Sequence, residues 1–179
     1  MELFNHLGEH LFDIDYDHIT YGNLNQITWS SSFNEFLLAT SKQLLRLDCS
    51  TKSIQHDSDI GFGFYKDVCA GGDSIILVHK LGTSLGDIIE HYSNNQLIQR
   101  CWKSDLYPDD INETMNIVSI RMSEHLLAIH ASFTNAILVC DILRTMKRLL
   151  RIKLQHYKIL SICPVYGKID ERRNNIYCV

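Results

Sequence analysis

The chain has 179 residues, with 17 Lys and Arg against 21 Asp and Glu, a formal charge of −4 with histidine neutral. Apolar residues make up 45% and charged residues 21%, which is ordinary globular usage and excludes collagen-like, low-complexity and charge-driven disordered chains. The mild acidity disfavours a general polyanion-binding role, and no apolar run approaches the roughly 18 residues of a membrane-spanning helix.

The N-terminal residues 1–21 carry two patterns. Leu3, Phe4, Leu7 and Leu11 fall at helical spacing, which suits a short helix over residues 1–12. From Leu11 the pattern changes to alternation, with Phe12, Ile14 and Tyr16 against Asp13, Asp15 and Asp17, which suits a half-buried strand over 11–16; with a second stretch over 17–21 it would supply the outer strands of a fourth blade. The start Met1-Glu2-Leu3-Phe4-Asn5-His6 lacks the basic opening and apolar stretch of a secretory signal. The expectation is therefore either a cytoplasmic or other intracellular location, or a chain whose true start is missing.

Beyond this segment the chain repeats. A first unit spans 25–57, with apolar stretches at Gln26–Trp29, Glu35–Thr40, Gln43–Asp48 and Lys52–His56. A second spans 65–103, with stretches at Asp67–Ala70, Asp73–His79, Asp87–Tyr92 and Gln96–Trp102. A third spans 115–154, at Asn116–Ile120, Glu124–His130, Ala136–Asp141 and Arg148–Leu154. Part of a fourth follows over 158–179, at Lys158–Ile162 and Asn174–Val179. With Leu37, Ile75, Leu126 and Ile176 as anchors, the spacings are 38, 51 and 50 residues. Short polar links such as Ser30-Ser31-Ser32 and Gly71-Gly72-Asp73 suit hairpins. The first two stretches of each unit are the most continuously apolar, as expected for strands buried on both faces, and the later ones are more polar.

A period near 40–50 residues with four strands per unit predicts an all-β, propeller-like fold of three full four-stranded blades plus part of a fourth. An antiparallel sandwich is the rival arrangement. The chain is expected to be either an open part of a larger propeller or a ring closed by the N-terminal strands. On these residues it resembles the WD40-like repeat family. The third stretches close with Leu47-Asp48, His91-Tyr92 and Cys140-Asp141, so Asp48 and Asp141 keep the acid of the family's Trp-Asp ending while the tryptophan and the Gly-His dipeptide are missing. The resemblance implies a non-catalytic scaffold for protein or peptide partners, without a cofactor.

The residues able to carry chemistry are few. The six cysteines, at 49, 69, 101, 140, 163 and 178, form no C-x-x-C pair and read as reduced core residues. Nine histidines invite a metal reading. His6 and His10 would share a helix face but lack the glutamate of H-E-x-x-H. His79 and His130 follow the second strand of their units and would converge if those positions were equivalent, which is what a propeller hydrolase or lyase with a central metal would require. Gly61-Phe62-Gly63 and the loop Gly82–Gly86 are weak glycine-rich signals. Arg144, Lys147, Arg148, Arg151 and Lys153 form a basic stripe able to meet RNA phosphate, although no aromatic residue interleaves. Asp105, Asp109, Asp110 and Glu113 read as a solvated acidic loop. Partner contacts are expected at turn residues such as Phe33, Tyr65 and Phe133. No catalytic, metal-binding or cofactor-binding residue is assigned.

Overall fold

The computed structural model describes residues 1–4, 7–82, 86–107, 116–131 and 136–153. The chain opens with a two-stranded hairpin, β1 (Glu2–Phe4) and β2 (His10–Asp13), followed by one helical turn, α1 (His18–Tyr21). Three antiparallel meanders follow. The first sheet is β3 (Leu24–Ser30), β4 (Glu35–Thr40), β5 (Leu44–Asp48) and β6 (Ser53–His56). The second is β7 (Tyr65–Gly71), β8 (Ser74–Lys80), β9 (Asp87–Ser93) and β10 (Gln96–Cys101). A turn of helix, α2 (Lys103–Leu106), leads on to the third, which is β11 (Ile117–Ser123), β12 (Leu126–Ala131), β13 (Ala136–Asp141) and β14 (Lys147–Lys153). The all-β, propeller-like class expected from the repeats is what the chain adopts, with three full sheets and a half-sheet at the N-terminus. The expected strands at 158–179 lie outside the described residues.

Turn chemistry sets the meanders. Asn34, Gly72 and Glu124 take left-handed backbone at the hairpins between first and second strands. Asn94 and Asn95 do so together, at φ 48° and 63°, giving a two-residue turn whose twist matches the strands it joins.

The register then decides which face each apolar residue serves. In the second sheet Val68, Ile75, Leu77 and Tyr92 point back to Leu37, Ala39 and Leu44 of the first. Cys69, Ile76, Val78 and Ile89 point forward to Ile120, Leu127, Ile129 and Leu138 of the third. The far face of the first sheet, with Leu38, Leu45 and Leu47, is covered by Leu3, Phe12 and Ile14. The N-terminal segment therefore pairs as strands, with β2 overlapping the alternating stretch, whereas 17–21, expected as a second closing strand, is the helical turn α1 capped by Asp17. Leu3 pairs with Phe12, and Met1 and Ile14 exchange backbone hydrogen bonds at 2.8 Å. A helix over residues 1–12 would have turned Phe12 away from this core.

The first strands lie together, β3 against β7 and β7 against β11. Each carries a bulge one residue from its start, at Asn25, Lys66 and Val118. The bulged side chain reaches across to the next sheet. Asn25 Nδ2 donates to the Tyr65 carbonyl at 2.7 Å, and Lys66 Nζ donates to the Ile117 carbonyl at 2.8 Å. Tyr65 and Ile117 hold equivalent places, so one clamp is used twice. Lys66 also binds the buried Asp87 carboxylate at 2.7 Å, which itself accepts from Ile117 N–H at 2.6 Å. Asp67 adds a second tie, accepting from Ile120 N–H at 2.8 Å and from Arg121 at 3.2 Å. Val118 has no donor to offer a following sheet.

These bulges also fix the true repeat register. Leu37 is equivalent to Ile76 and Ala128, so the anchors Ile75 and Leu126 occupy the right strands but are one and two residues out of phase. Replacing Lys66 with Met is expected to cost about 2 kcal/mol, because it strips a charged partner from a buried carboxylate. Asn25→Ala removes a neutral bond and is expected to cost about 1 kcal/mol. Urea midpoints of the two variants check both the size and the order.

Candidate functional site

The ends of the sheets differ in character. One end carries the links from first to second and from third to fourth strands. The other carries the crossovers between sheets, and the first of these, residues 57–64, presents aromatic side chains.

This crossover is built on Asp57. Its buried carboxylate takes Arg46 Nε at 2.8 Å and accepts from the backbone N–H groups of Asp59 and Ile60 at 3.2 and 3.3 Å. Arg46 continues to Asn95 at 2.9 Å and lies 4.2 Å from the centre of the Phe33 ring. Asn95 in turn donates to Asp59 at 2.9 Å. Ile60 then plugs into the core between the first two sheets.

Two glycines follow for two reasons. Gly61 sits at φ 85°, where a side chain is strained. At Gly63 a Cβ would lie 2.9 Å from His79 Nε2 and 3.1 Å from Tyr65 Cζ, so the backbone needs the missing side chain to approach. Between them Phe62 is driven outward and is 78% exposed, its ring 4.5 Å from that of His56. Phe64, also exposed, lies under Lys80 Nζ at 5.3 Å, and Leu81 beside Lys80 is exposed as well. Gly61-Phe62-Gly63 is thus an aromatic-presenting turn and not a phosphate cradle.

Behind this surface lies a buried polar group. Glu90 accepts from Arg100 Nε at 2.9 Å and from the Tyr92 hydroxyl at 3.2 Å, with His79 Nδ1 at 3.5 Å. Burial acts to raise the Glu90 carboxyl, but His79 and Arg100, through contact and charge, outweigh it and hold the group below its ordinary value. Tyr65, chiefly through burial and then through Glu90 and Asp57, is pushed up to about 12. A phenol so placed keeps its proton at neutral pH and serves as a donor, not a base.

The expected contact residues are relocated. Tyr65 is no turn residue. It opens β7 and is 1% exposed, so it cannot meet a partner. Phe33 is partly buried under Arg46. Phe133, Asp109, Asp110 and Glu113 lie outside the described residues, as do residues 83–85 of the Gly82–Gly86 loop. His79 and His130 do not correspond. His79 pairs with Tyr65, whereas His130 pairs with Ser119 and matches Val78. Neighbouring positions on a strand face opposite ways. His79 therefore turns to the first sheet, while His130 turns to the far face of the third. His10 is on a strand beside Asp13 at 3.0 Å, and His6 lies outside the described residues, so their helical pairing is lost. Among the described residues no three His, Cys, Asp or Glu side chains gather as a metal site. No described helix is long and apolar enough to cross a membrane.

The class defined so far is an all-β, propeller-like protein whose sheets are not closed among the described residues. No family model matches the chain, and no curated protein matches it. Among solved structures it is similar to the Kuenenia stuttgartiensis hydrazine synthase, at 15% identity and a TM-score of 0.52, over 76% of this chain and 37% of that one. At this identity the likeness concerns the fold alone, and the chain spans well under half of that protein.

Two outcomes follow from the buried groups. The depressed Glu90 adds stability that is complete above the usual glutamate range and drains as pH falls through its lowered folded value. Asp67 has the opposite sign, since burial raises it in spite of its hydrogen bonds, so the folded chain holds its proton more readily than the unfolded one. Glu90→Gln is expected to lower stability near pH 7 and to flatten the acid limb below about pH 4.5, as read from urea midpoints across pH. An unchanged acid limb would remove Glu90 from the account.

The thiols of Cys69, Cys101 and Cys140 are all buried and pushed up by burial, the latter two to about 12 and about 11. Native-state iodoacetamide followed by peptide mapping is expected to label Cys49 and to spare these three.

Proposed function

We propose that the chain is a non-catalytic interaction scaffold built on WD40-like propeller blades, and that the crossover end of its first two sheets receives a protein or peptide partner. The observation that carries this is Phe62, an aromatic ring held in solvent by a backbone that two glycines have fitted to the core. A rigid base beneath an exposed aromatic reduces the entropy lost on binding. Aromatic side chains at such positions are frequent binding anchors. Lys80 and His56 at the rim favour a partner with apolar side chains and some negative charge.

The WD40-like reading gains from the corrected register. Asp48 and Asp141 fall at the same position, each ending the third strand of its sheet. Each turns the chain toward the fourth strand. Asp48 accepts from Ser50 N–H at 2.7 Å, and Asp141 accepts from Leu143 N–H at 3.0 Å. The matching pair in the second sheet is Tyr92-Ser93 and not His91-Tyr92, which sets an aromatic residue in the place of the family's tryptophan. A hydrolase or lyase built on converging histidines has no such support, because His79 and His130 diverge.

The test is comparative capture of partners from a cell extract, with the intact chain and with Phe62→Asp as baits. The variant should keep its β-sheet circular dichroism and lose the specific partners. Capture of the same proteins at equal yield by both baits would dismiss this surface.

A further inference from the structure

The charges of this chain are segregated along it. Residues 1–41 hold six acids, Glu2, Glu9, Asp13, Asp15, Asp17 and Glu35, and no Lys or Arg. Residues 144–153 hold five bases, Arg144, Lys147, Arg148, Arg151 and Lys153, and no acid. The fold puts these two blocks at opposite ends of the series of sheets. Three of the six acids, Glu2, Glu9 and Asp13, belong to the β1–β2 hairpin, which lies on the far face of the first sheet. The basic block is centred on β14, the outermost strand of the third sheet.

Among the described residues both elements are strand edges, and both are only partly apolar. The hairpin exposes Phe4, Leu7 and Leu11 beside Glu2 and Asp13, and β14 exposes Leu149 and Leu150 beside Lys147 and Arg148. An edge strand exposes backbone groups that another strand can pair with. Lysine and arginine on such an edge discourage pairing with an identical basic edge. They do not discourage pairing with an acidic one. The hairpin carries the reciprocal feature, since Glu2 and Asp13 stand directly opposite each other. Two carboxylates across a strand pair repel, and a facing cation relieves that cost.

We propose that two copies of this chain associate head to tail, the β14 edge of one against the acidic β1–β2 hairpin of the other. The pairing is heterologous, so the pair retains one free head, on one copy, and one free tail, on the other, unless a second contact closes it. This surface is separate from the crossover end that bears Phe62, so the two proposals stand or fall independently.

Sedimentation velocity on the full chain tests it. The intact chain should associate with rising concentration, and the dissociation constant should grow roughly tenfold or more between about 50 and 500 mM salt. Lys147→Glu with Arg148→Glu should be monomeric at the same concentrations, and so should Glu2→Lys with Asp13→Lys. A mixture of these two variants should associate again, because each tail then meets a head of opposite sign. One chain carrying all four substitutions should also self-associate, which guards against loss by misfolding. A monomer at every concentration overturns the proposal. Association indifferent to salt and to both swaps does the same, as does binding of poly-uridine RNA by the basic strand without any self-association.

Discussion

The second strands of the first two sheets are buried on both faces at once. In β4 the run Leu37-Leu38-Ala39-Thr40 is fully buried, and in β8 so is Ile75-Ile76-Leu77-Val78. Such a strand cannot rest on a single neighbour, because half of its apolar surface would stay in water. The sheets therefore stack as layers, and each layer depends on the one beside it. The clamps from Asn25 and Lys66 act at the level of the backbone, holding the start of each following first strand where this packing requires it. The N-terminal hairpin has the same logic at the other end, since Leu3, Phe12 and Ile14 are what the first sheet would otherwise lack.

The buried polar groups follow the seams between layers. Arg46, Asp57 and Asn95 join the first sheet to a turn of the second. Lys66, Asp67 and Asp87 join the second to the third. Glu90 with Arg100 and Tyr92 fills the polar remainder behind the crossover. In each case a carboxylate taken from water meets a cation or backbone N–H groups, without which its burial would cost several kcal/mol. These contacts add direction to an apolar stack that could otherwise slide.

How much of this could be read beforehand depends on phase. The four-strand unit was legible because apolar runs alternate with turn residues at a repeating distance. Register was not, because a run such as Ile75-Ile76-Leu77-Val78 is apolar at every position and carries no period-2 signal. That is why Ile75 stands in for Ile76, and why His79 and His130 look equivalent although His130 stands one residue nearer its hairpin and matches Val78. The N-terminal segment misled in another way. Leu3, Phe4, Leu7 and Leu11 mimic a helical stripe, while the deciding residues, Phe12 and Ile14, continue at strand spacing. For the crossover surface, Gly61 and Gly63 are visible in the chain, but their purpose rests on His79 and Tyr65, which only the fold brings to them.

The strand order has a consequence for how the molecule is made. Within each sheet every strand pairs with its immediate successor in the chain. Closing such hairpins requires only short loops, so the entropic barrier to forming one sheet is small. Assembly can then proceed in the direction of synthesis, each finished sheet offering an apolar wall to the one emerging behind it. The slow and vulnerable moment comes when a sheet exists but its neighbour does not, and a strand with much to lose at that moment is β8, whose run Ile75-Ile76-Leu77-Val78 needs a cover on each face.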